Sequence, residues 1–465
     1  MLENGAPVVK LDEDGHPERD GTWMSASAHI ITAVVGSGVL SLGWATAQLG
    51  WIFGPAALFI FAGVTWFAAK LLVACNKSPD PITGKRNYCY MDVVKANLGR
   101  FEVKLCGLAQ YGNLIGATIG YTITSGISIS AMVKTICVHK HGNQAKCHGS
   151  TQLYIIIFGC IELLLSQTPN FHKLSFLSIL AAIMSFSYSF IGIALCIERI
   201  IGGNPVQTSL TGVIVGVDVT SQEKVWKVLE AIGNIAFAYG FSMILVEIQA
   251  RQDTLKSGPS KNKVMQKATT VGVSVTTVFY VLCGTLGYAA FGNNAPGNIL
   301  TEFETSKFFW LVEIANIAVV VHLLGAFQVF AQPFFQFVER KCADKWPESG
   351  FINTTHPIHI PMVGKYEVNF FPLVWRSIYV IMATLVAVIL PFFNEVLGLL
   401  GAIAFWPLTV FLPVEMHLKQ TNTKRFSFTW ICFKTLSMIC LVISLLTAAA
   451  SIRGLVVSFK ASKPL

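Results

Sequence analysis

Apolar stretches of about twenty residues recur along the chain from Met24 to Ala450, separated by short polar loops; a stretch of that length crosses the hydrocarbon of a bilayer as a helix. The 465 residues are 53% hydrophobic and 13% charged, whereas an ordinary soluble domain carries about 25% charged residues. A chain of this size with so few charges cannot present a wholly water-exposed surface, and its 33 phenylalanines suit lipid-facing and interfacial positions. The pattern predicts an all-α membrane protein with eleven spans at roughly 24–50, 53–75, 102–136, 151–166, 174–198, 227–250, 268–291, 308–338, 372–390, 396–416 and 428–450. The third and eighth are long enough to tilt or to project beyond the lipid.

The formal charge of +9 sits between the spans, so it reads as a topology signal and not as a nucleic-acid surface. One set of loops is rich in Lys and Arg, among them Lys77, Lys85, Arg86, Arg251, Lys256, Arg340, Lys341, Lys424 and Arg425. The alternate loops hold little more than Lys140, Lys146, Arg199 and Lys224, with Lys460 and Lys463 in the tail. The rich set belongs in the cytoplasm, which puts the N-terminus inside and, after an odd number of spans, the C-terminus outside. Residues 1–23 are polar and acidic and lack the apolar core of a cleavable signal, so they are expected to be a disordered cytoplasmic tail.

Two spans are interrupted near their centres. The first carries Gly36-Ser37-Gly38 and the sixth carries Tyr239-Gly240. Glycine lets a helix unwind where a Cβ would clash, and unwound backbone at that depth survives only in a cavity or buried in protein. The breaks are offset by five spans, and five is odd, so a second copy of a five-helix unit starts on the opposite face. Matched interruptions in inverted halves point to a central binding site. The half-helix after Gly36 offers free N–H groups and a positive dipole end to a carboxylate, while freed carbonyls at the end of a preceding half accept from an ammonium. The other reading of Gly-Ser-Gly in an apolar helix is a close-packing face.

The chain also resembles the plant amino-acid permeases of the amino acid/auxin permease family, within the amino acid–polyamine–organocation superfamily. The resemblance is carried by Ala28 to Leu42, Trp44 to Trp51, Gly84-Lys-Arg-Asn-Tyr88, Tyr90-Met-Asp92, Ile235 to Tyr239, Glu247-Ile-Gln249, Pro391-Phe-Phe-Asn394 and Phe405-Trp-Pro-Leu-Thr409. It implies a leucine-transporter-like fold, with five-helix repeats at 24–198 and 226–416, an extracellular loop at 199–225, and an eleventh helix with an extracellular C-terminus at 417–465. It also implies proton-driven import of free amino acids at the plasma membrane of a plant cell, with no cofactor beyond the coupling proton. Asn234 stands where the family often has an acidic residue, and Gly240 where it often has Ser.

The expected substrate-binding residues are Val35, Gly36, Ser37, Gly38, Phe237, Ala238, Tyr239 and Gly240 at the breaks, with Tyr121 in span three and Asn316 in span eight. Tyr121 shares a helical face with Asn113, Ala117 and Thr124; the alternative for an aromatic there is packing. His29, two turns before Gly36, and His322 in span eight are candidates for proton coupling, because histidine titrates near neutrality; the alternative for each is a neutral histidine hydrogen-bonded between helices. Glu247 and Asn234 are expected at the inner gate, Glu247 with Arg251 one turn on. Glu162 reads as an interhelical partner, and Glu230 and Glu313 as hydrated or solute-attracting groups near the outer ends. Pro407 and Pro413 should bend span ten.

Cys137 and Cys147 share an outward-facing loop and are expected to form a disulfide; His139, His141 and His148 beside them leave a metal site as an alternative, though no metal is expected. Sodium-coupled or auxin transport on the same fold, and a nutrient receptor that moves no solute, are the competing functions. No nucleophile–base pairing or phosphate loop supports an enzyme.

The two N-glycosylation sequons, Asn76-Lys77-Ser78 and Asn353-Thr354-Thr355, fall in loops assigned to the cytoplasm. Neither carries glycan if that assignment holds; a glycosidase-sensitive shift mapped to either asparagine reverses the orientation.

Overall fold

The computed structural model describes residues 22–78, 84–142, 147, 149–167, 175–203, 205–250, 261–303, 306–360 and 364–462. The acidic tail, Arg251, Lys256, Lys146, His148 and Lys463 lie outside the described residues. Nine helical segments among the described residues are long and apolar enough to cross a membrane, and Thr151–Leu165 is a shorter apolar helix. One of the nine, Ser37–Ala74, folds back at Gly50, which adopts a φ of +80°. A Cβ on Gly54 would lie 2.8 Å from Thr46 Cγ2, so residues eight apart face one another across the fold. The segment therefore supplies the second half of span one and all of span two. With Trp23–Val34 as the first half of span one and Thr151–Leu165 as span four, the described residues hold helices for the eleven spans read from the sequence.

Several helices outrun their apolar windows. Span three runs Arg100–His141, span six starts at Ser221, span eight runs Phe309–Lys345, and span eleven continues from Phe428 to Ala461. Hydropathy marks only the part inside lipid, whereas backbone bonding continues until a cap ends it. Span six shows this: Thr220 and Glu223 form a reciprocal capping box ahead of the apolar stretch. Two short antiparallel hairpins, Lys77–Ser78 with Lys85–Arg86 and His356–Ile360 with Gly364–Val368, occupy inter-span loops.

The chain divides into two compact units. The first contains spans one, two, six and seven, most of ten and most of eleven; the second contains most of span three and spans four, five, eight and nine.

Within the first unit, the loop after span five repairs the turn at Gly50. That turn leaves a helix end and a helix start with orphaned backbone groups. Val213 N–H donates to Ala47 O at 3.0 Å, and Trp51 and Ile52 N–H donate to Ser209 O and Leu210 O at 3.3 and 3.1 Å. Lys224 Nζ donates to Gln48 O, Thr211 O and Val213 O at 2.8, 2.5 and 2.9 Å.

Span ten is repaired in a similar way. Phe393–Ala404 passes into a π-helical stretch, Phe405–Phe411, before Leu412–Gln420 resumes α-helix. Leu412 N–H bonds Pro407 O. The next bond of that register would need an N–H from Pro413, which has none. The carbonyl left over, Leu408 O, accepts instead from the Tyr90 hydroxyl at 2.6 Å. Spans six and ten also meet through glycines: a Cβ on Gly401 would lie 2.0 Å from Gly233 O, and one on Gly233 would lie 2.9 Å from Gly398 Cα.

In the second unit, span four approaches span nine at Gly159, where a Cβ would lie 2.3 Å from Thr384 Oγ1. Arg376 pairs with Glu339 at 2.8 Å and donates to Ser166 O at 3.1 Å, covering the carbonyl at the end of span four. Cys137 and Cys147 are joined by a disulfide with Cα atoms 5.8 Å apart.

Gly401→Ala places a methyl group against backbone that cannot move aside, and should destabilise the protein by about 1–3 kcal/mol. Gly63→Ala, where a Cβ meets nothing within 4 Å, is the control. The detergent-solubilised melting temperature should drop for the first and hold for the second; equal values contradict the glycine contact.

Candidate functional site

The first half of span one, Trp23–Val34, ends at Val35, whose N–H bonds Ile31 O at 2.8 Å. Gly36 N–H turns back to Val34 O at 2.9 Å, and Gly36 itself is extended, with φ −122° and ψ −155°. A tight turn, Ser37–Ser41, follows, and its first bond runs from Val39 N–H to Gly36 O. The N–H groups of Ser37 and Gly38 precede that bond and make no hydrogen bond among the described residues. Ser37 Oγ is likewise buried without a partner.

The two glycines of this segment do different work. A Cβ on Gly36 would meet nothing within 4 Å, so open space lies beside this backbone. A Cβ on Gly38 would lie 3.1 Å from Ala238 Cα and 3.3 Å from Phe237 Cδ1. Open space at Gly36 is thus set apart from close packing at Gly38.

The first half of span six, Ser221–Ala238, is capped by Tyr239, and Ser242–Ala250 begins the second half. Gly240 N–H bonds Phe237 O at 2.9 Å and Phe241 N–H bonds Tyr239 O at 3.1 Å. Val35, Ala238 and Tyr239 are buried, whereas Gly36, Phe237 and Gly240 keep some accessible surface. Tyr239 is held in place: its hydroxyl donates to Thr277 Oγ1 at 3.3 Å and its ring stands edge-on to Tyr280 at 5.1 Å. Val35, Gly36, Ser37, Gly38, Phe237, Ala238, Tyr239 and Gly240 are thus brought together in the first unit. Asn234 is fully buried on the same half-helix, and a Cβ on Gly398 would lie 3.2 Å from its Oδ1. His29 is half-buried on Trp23–Val34 and Glu247 is half-buried on Ser242–Ala250.

In the second unit, Tyr121 is buried edge-on to Phe330 at 5.3 Å, and Asn113, Ala117 and Thr124 are buried on the same helical face. Asn316 Nδ2 donates to Val312 O at 3.0 Å while its Oδ1 is buried without a partner. His322 Nδ1 lies 2.9 Å from Ala181 O and 3.1 Å from Ser185 Oγ, with Tyr188 edge-on at 5.8 Å. A carbonyl only accepts, so Nδ1 carries the proton and Nε2 is the basic atom of the ring. Glu162 is fully buried and accepts from Gln328 Nε2 at 2.6 Å. Residues 137–141, expected in a loop, form the last turn of span three, where His139 stacks on Phe309 at 3.7 Å, and among the described residues no three His, Cys, Asp or Glu side chains converge as metal ligands.

A sequence profile of the transmembrane amino acid transporter protein family matches residues 19–457. The chain belongs to that family. It is 56% identical to amino acid permease 1 of Arabidopsis thaliana over 458 residues, covering 98% of this chain and 94% of that one. It is also 56% identical to amino acid permease 6 of the same plant over 464 residues, covering 99% and 96%. A more distant relative, lysine histidine transporter-like 6 of Arabidopsis thaliana, is 31% identical over 417 residues, covering 89% and 86%. These relatives are named as transporters and not as enzymes. Among solved structures, that of MhsT in complex with L-phenylalanine matches with a TM-score of 0.55 at 11% identity, covering 93% of this chain and 100% of that one. At that identity the likeness shows the fold alone, a leucine-transporter-like one.

Sequence reasoning missed one member of the site. Tyr280, on span seven, reaches both breaks: its hydroxyl lies 2.5 Å from Val34 O and 2.8 Å from Ala238 O. The available signal was a face of span seven bearing Thr269, Val273, Thr276 and Tyr280 at helical spacing, all of them buried.

Gly36→Ala should leave folding and membrane abundance unchanged and weaken ligand binding, since its methyl group enters open space. Gly38→Ala should lower thermal stability, because its methyl group meets span six. Melting curves paired with ligand affinity check both; a destabilised Gly36→Ala contradicts the open space at that residue.

Proposed function

We propose that this chain is a proton-coupled symporter that imports amino acids across the plasma membrane by alternating access. The observation that carries the reading is the pair of breaks in spans one and six, with the unbonded N–H groups of Ser37 and Gly38 beside the open space at Gly36. Those N–H groups sit at the start of a half-helix, where a carboxylate is favoured. The ends of the two first halves carry the opposite partial charge and favour an ammonium. A zwitterion supplies both groups, which a purely anionic or cationic solute does not. MhsT, of the same fold, is described with L-phenylalanine bound, and the relatives are named amino acid permeases.

In this reading Phe237 and Tyr239 wall the side-chain pocket, and Asn234 and Glu247 serve the inner gate. The bundle of spans one, two, six and seven moves as a body, which fits their membership of one compact unit. His29 and His322 take up the coupling proton. One proton driven by about 100 mV and one pH unit supplies about 3.7 kcal/mol, enough for roughly 500-fold accumulation of a neutral zwitterion.

The test is uptake of labelled neutral amino acids in a heterologous membrane with simultaneous recording of internal pH. Uptake should be concentrative, acidify the interior, strengthen as external pH falls, and persist without sodium. His29→Ala should flatten the dependence on external pH. Strict dependence on sodium contradicts proton coupling, and binding without flux replaces the carrier by a receptor.

A further inference from the structure

The breaks in spans one and six are separate in sequence, yet one side chain touches the end of each first half-helix. Tyr280 is fully buried on span seven, and its hydroxyl oxygen lies 2.5 Å from Val34 O and 2.8 Å from Ala238 O. Val34 and Ala238 are the last residues of Trp23–Val34 and Ser221–Ala238. At a helix end the final carbonyls have no N–H ahead of them and must find another donor. Around the break in span six, Ile235 O and Phe237 O are taken by Tyr239 and Gly240 N–H, which leaves Ala238 O to the tyrosine. The break in span one gives Val34 O to Gly36 N–H as well as to Tyr280.

We infer that Tyr280 is a positioning residue that ties the two half-helix ends together and so sets the width of the ligand cradle. A phenol has one hydrogen and faces two acceptors, so the carbonyls share a single donor. Movement of either half-helix end away from the other breaks one bond and hands the proton to the remaining carbonyl. The two breaks are then coupled through one atom. The contact between Gly38 and Ala238, where a Cβ would close to 3.1 Å, brings the same two segments together on the other side of the break. The ring is fixed independently of its hydroxyl, since it packs edge-on against Tyr239, whose own hydroxyl bonds Thr277 one turn before Tyr280 on span seven. Removing the hydroxyl alone therefore leaves the aromatic packing in place and releases the two backbone ends.

The transport part of this inference rests on the amino-acid carrier reading; the backbone part does not. Tyr280→Phe removes one oxygen and keeps the ring. In purified protein, hydrogen–deuterium exchange should quicken about tenfold, the factor expected for losing one buried donor, in peptides covering both 31–40 and 235–244, with span eleven unchanged. In uptake assays the apparent KM for a neutral amino acid should rise by about tenfold with a much smaller change in maximal rate. Incorporating 3-fluorotyrosine at position 280, a stronger hydroxyl donor in nearly the same shape, should slow exchange at both breaks, and it decides the matter if Tyr280→Phe does not fold. Exchange that changes at one break alone, or at neither, overturns the inference. So does a change at both with KM unaltered, because the hydroxyl would then hold backbone without setting the cradle. A wild-type protein that takes up no amino acid removes the carrier reading and leaves the exchange result to decide the coupling.

Discussion

A peptide group inside a bilayer has no water to bond, so wherever a helix stops, its orphaned N–H and C=O groups need another partner or a reason to lack one. Four interruptions organise this chain: the breaks in spans one and six, the reversal at Gly50, and the π-helical stretch of span ten. At Gly50 the loop 209–213 and the Lys224 ammonium take up the freed groups. In span ten the Tyr90 hydroxyl takes the carbonyl that Pro413 cannot serve. In span six the C-terminal carbonyls are covered by local turns and by Tyr280. Against that background, the break in span one leaves the N–H groups of Ser37 and Gly38 and the Ser37 hydroxyl together without a bond among the described residues.

Leaving a buried donor unpaired costs about 1–3 kcal/mol. Retaining several at one place is sensible where a ligand supplies the acceptors. Tyrosines on neighbouring helices perform the opposite task elsewhere: each reaches a carbonyl that its own helix cannot satisfy, and each does so from a distant part of the sequence. Close approach is secured by glycines. Gly233, Gly398 and Gly401 let spans six and ten meet at backbone distance, which steadies the half-helix that ends at the break.

The membrane spans were legible because burial in lipid demands long apolar windows, and the positions of both central breaks were marked by Gly36, Gly38 and Gly240, although span three carries Gly112, Gly116 and Gly120 in a continuous helix. The ends of the helices were less so, since polar residues such as Thr220 and Glu223 extend span six by capping and not by hydropathy. Tyr280 was not read as a site residue because its partners, Val34 and Ala238, lie 246 and 42 positions away, and the buried face it shares with Thr269, Val273 and Thr276 marks burial without naming them. The docking of Lys224 onto Gln48, 176 positions away, was hidden for the same reason. Pro407 and Pro413 announced a bend in span ten, but the hydroxyl that compensates it belongs to Tyr90, in a motif that resemblance alone had marked.

The most direct measurement is a cryo-electron microscopy map of the protein with a neutral amino acid bound. The ligand carboxylate is expected within hydrogen-bond distance of the Ser37 and Gly38 backbone nitrogens, with spans one and six interrupted beside it. A continuous helix through residues 34–40, or a ligand seated away from those two amides, would contradict it.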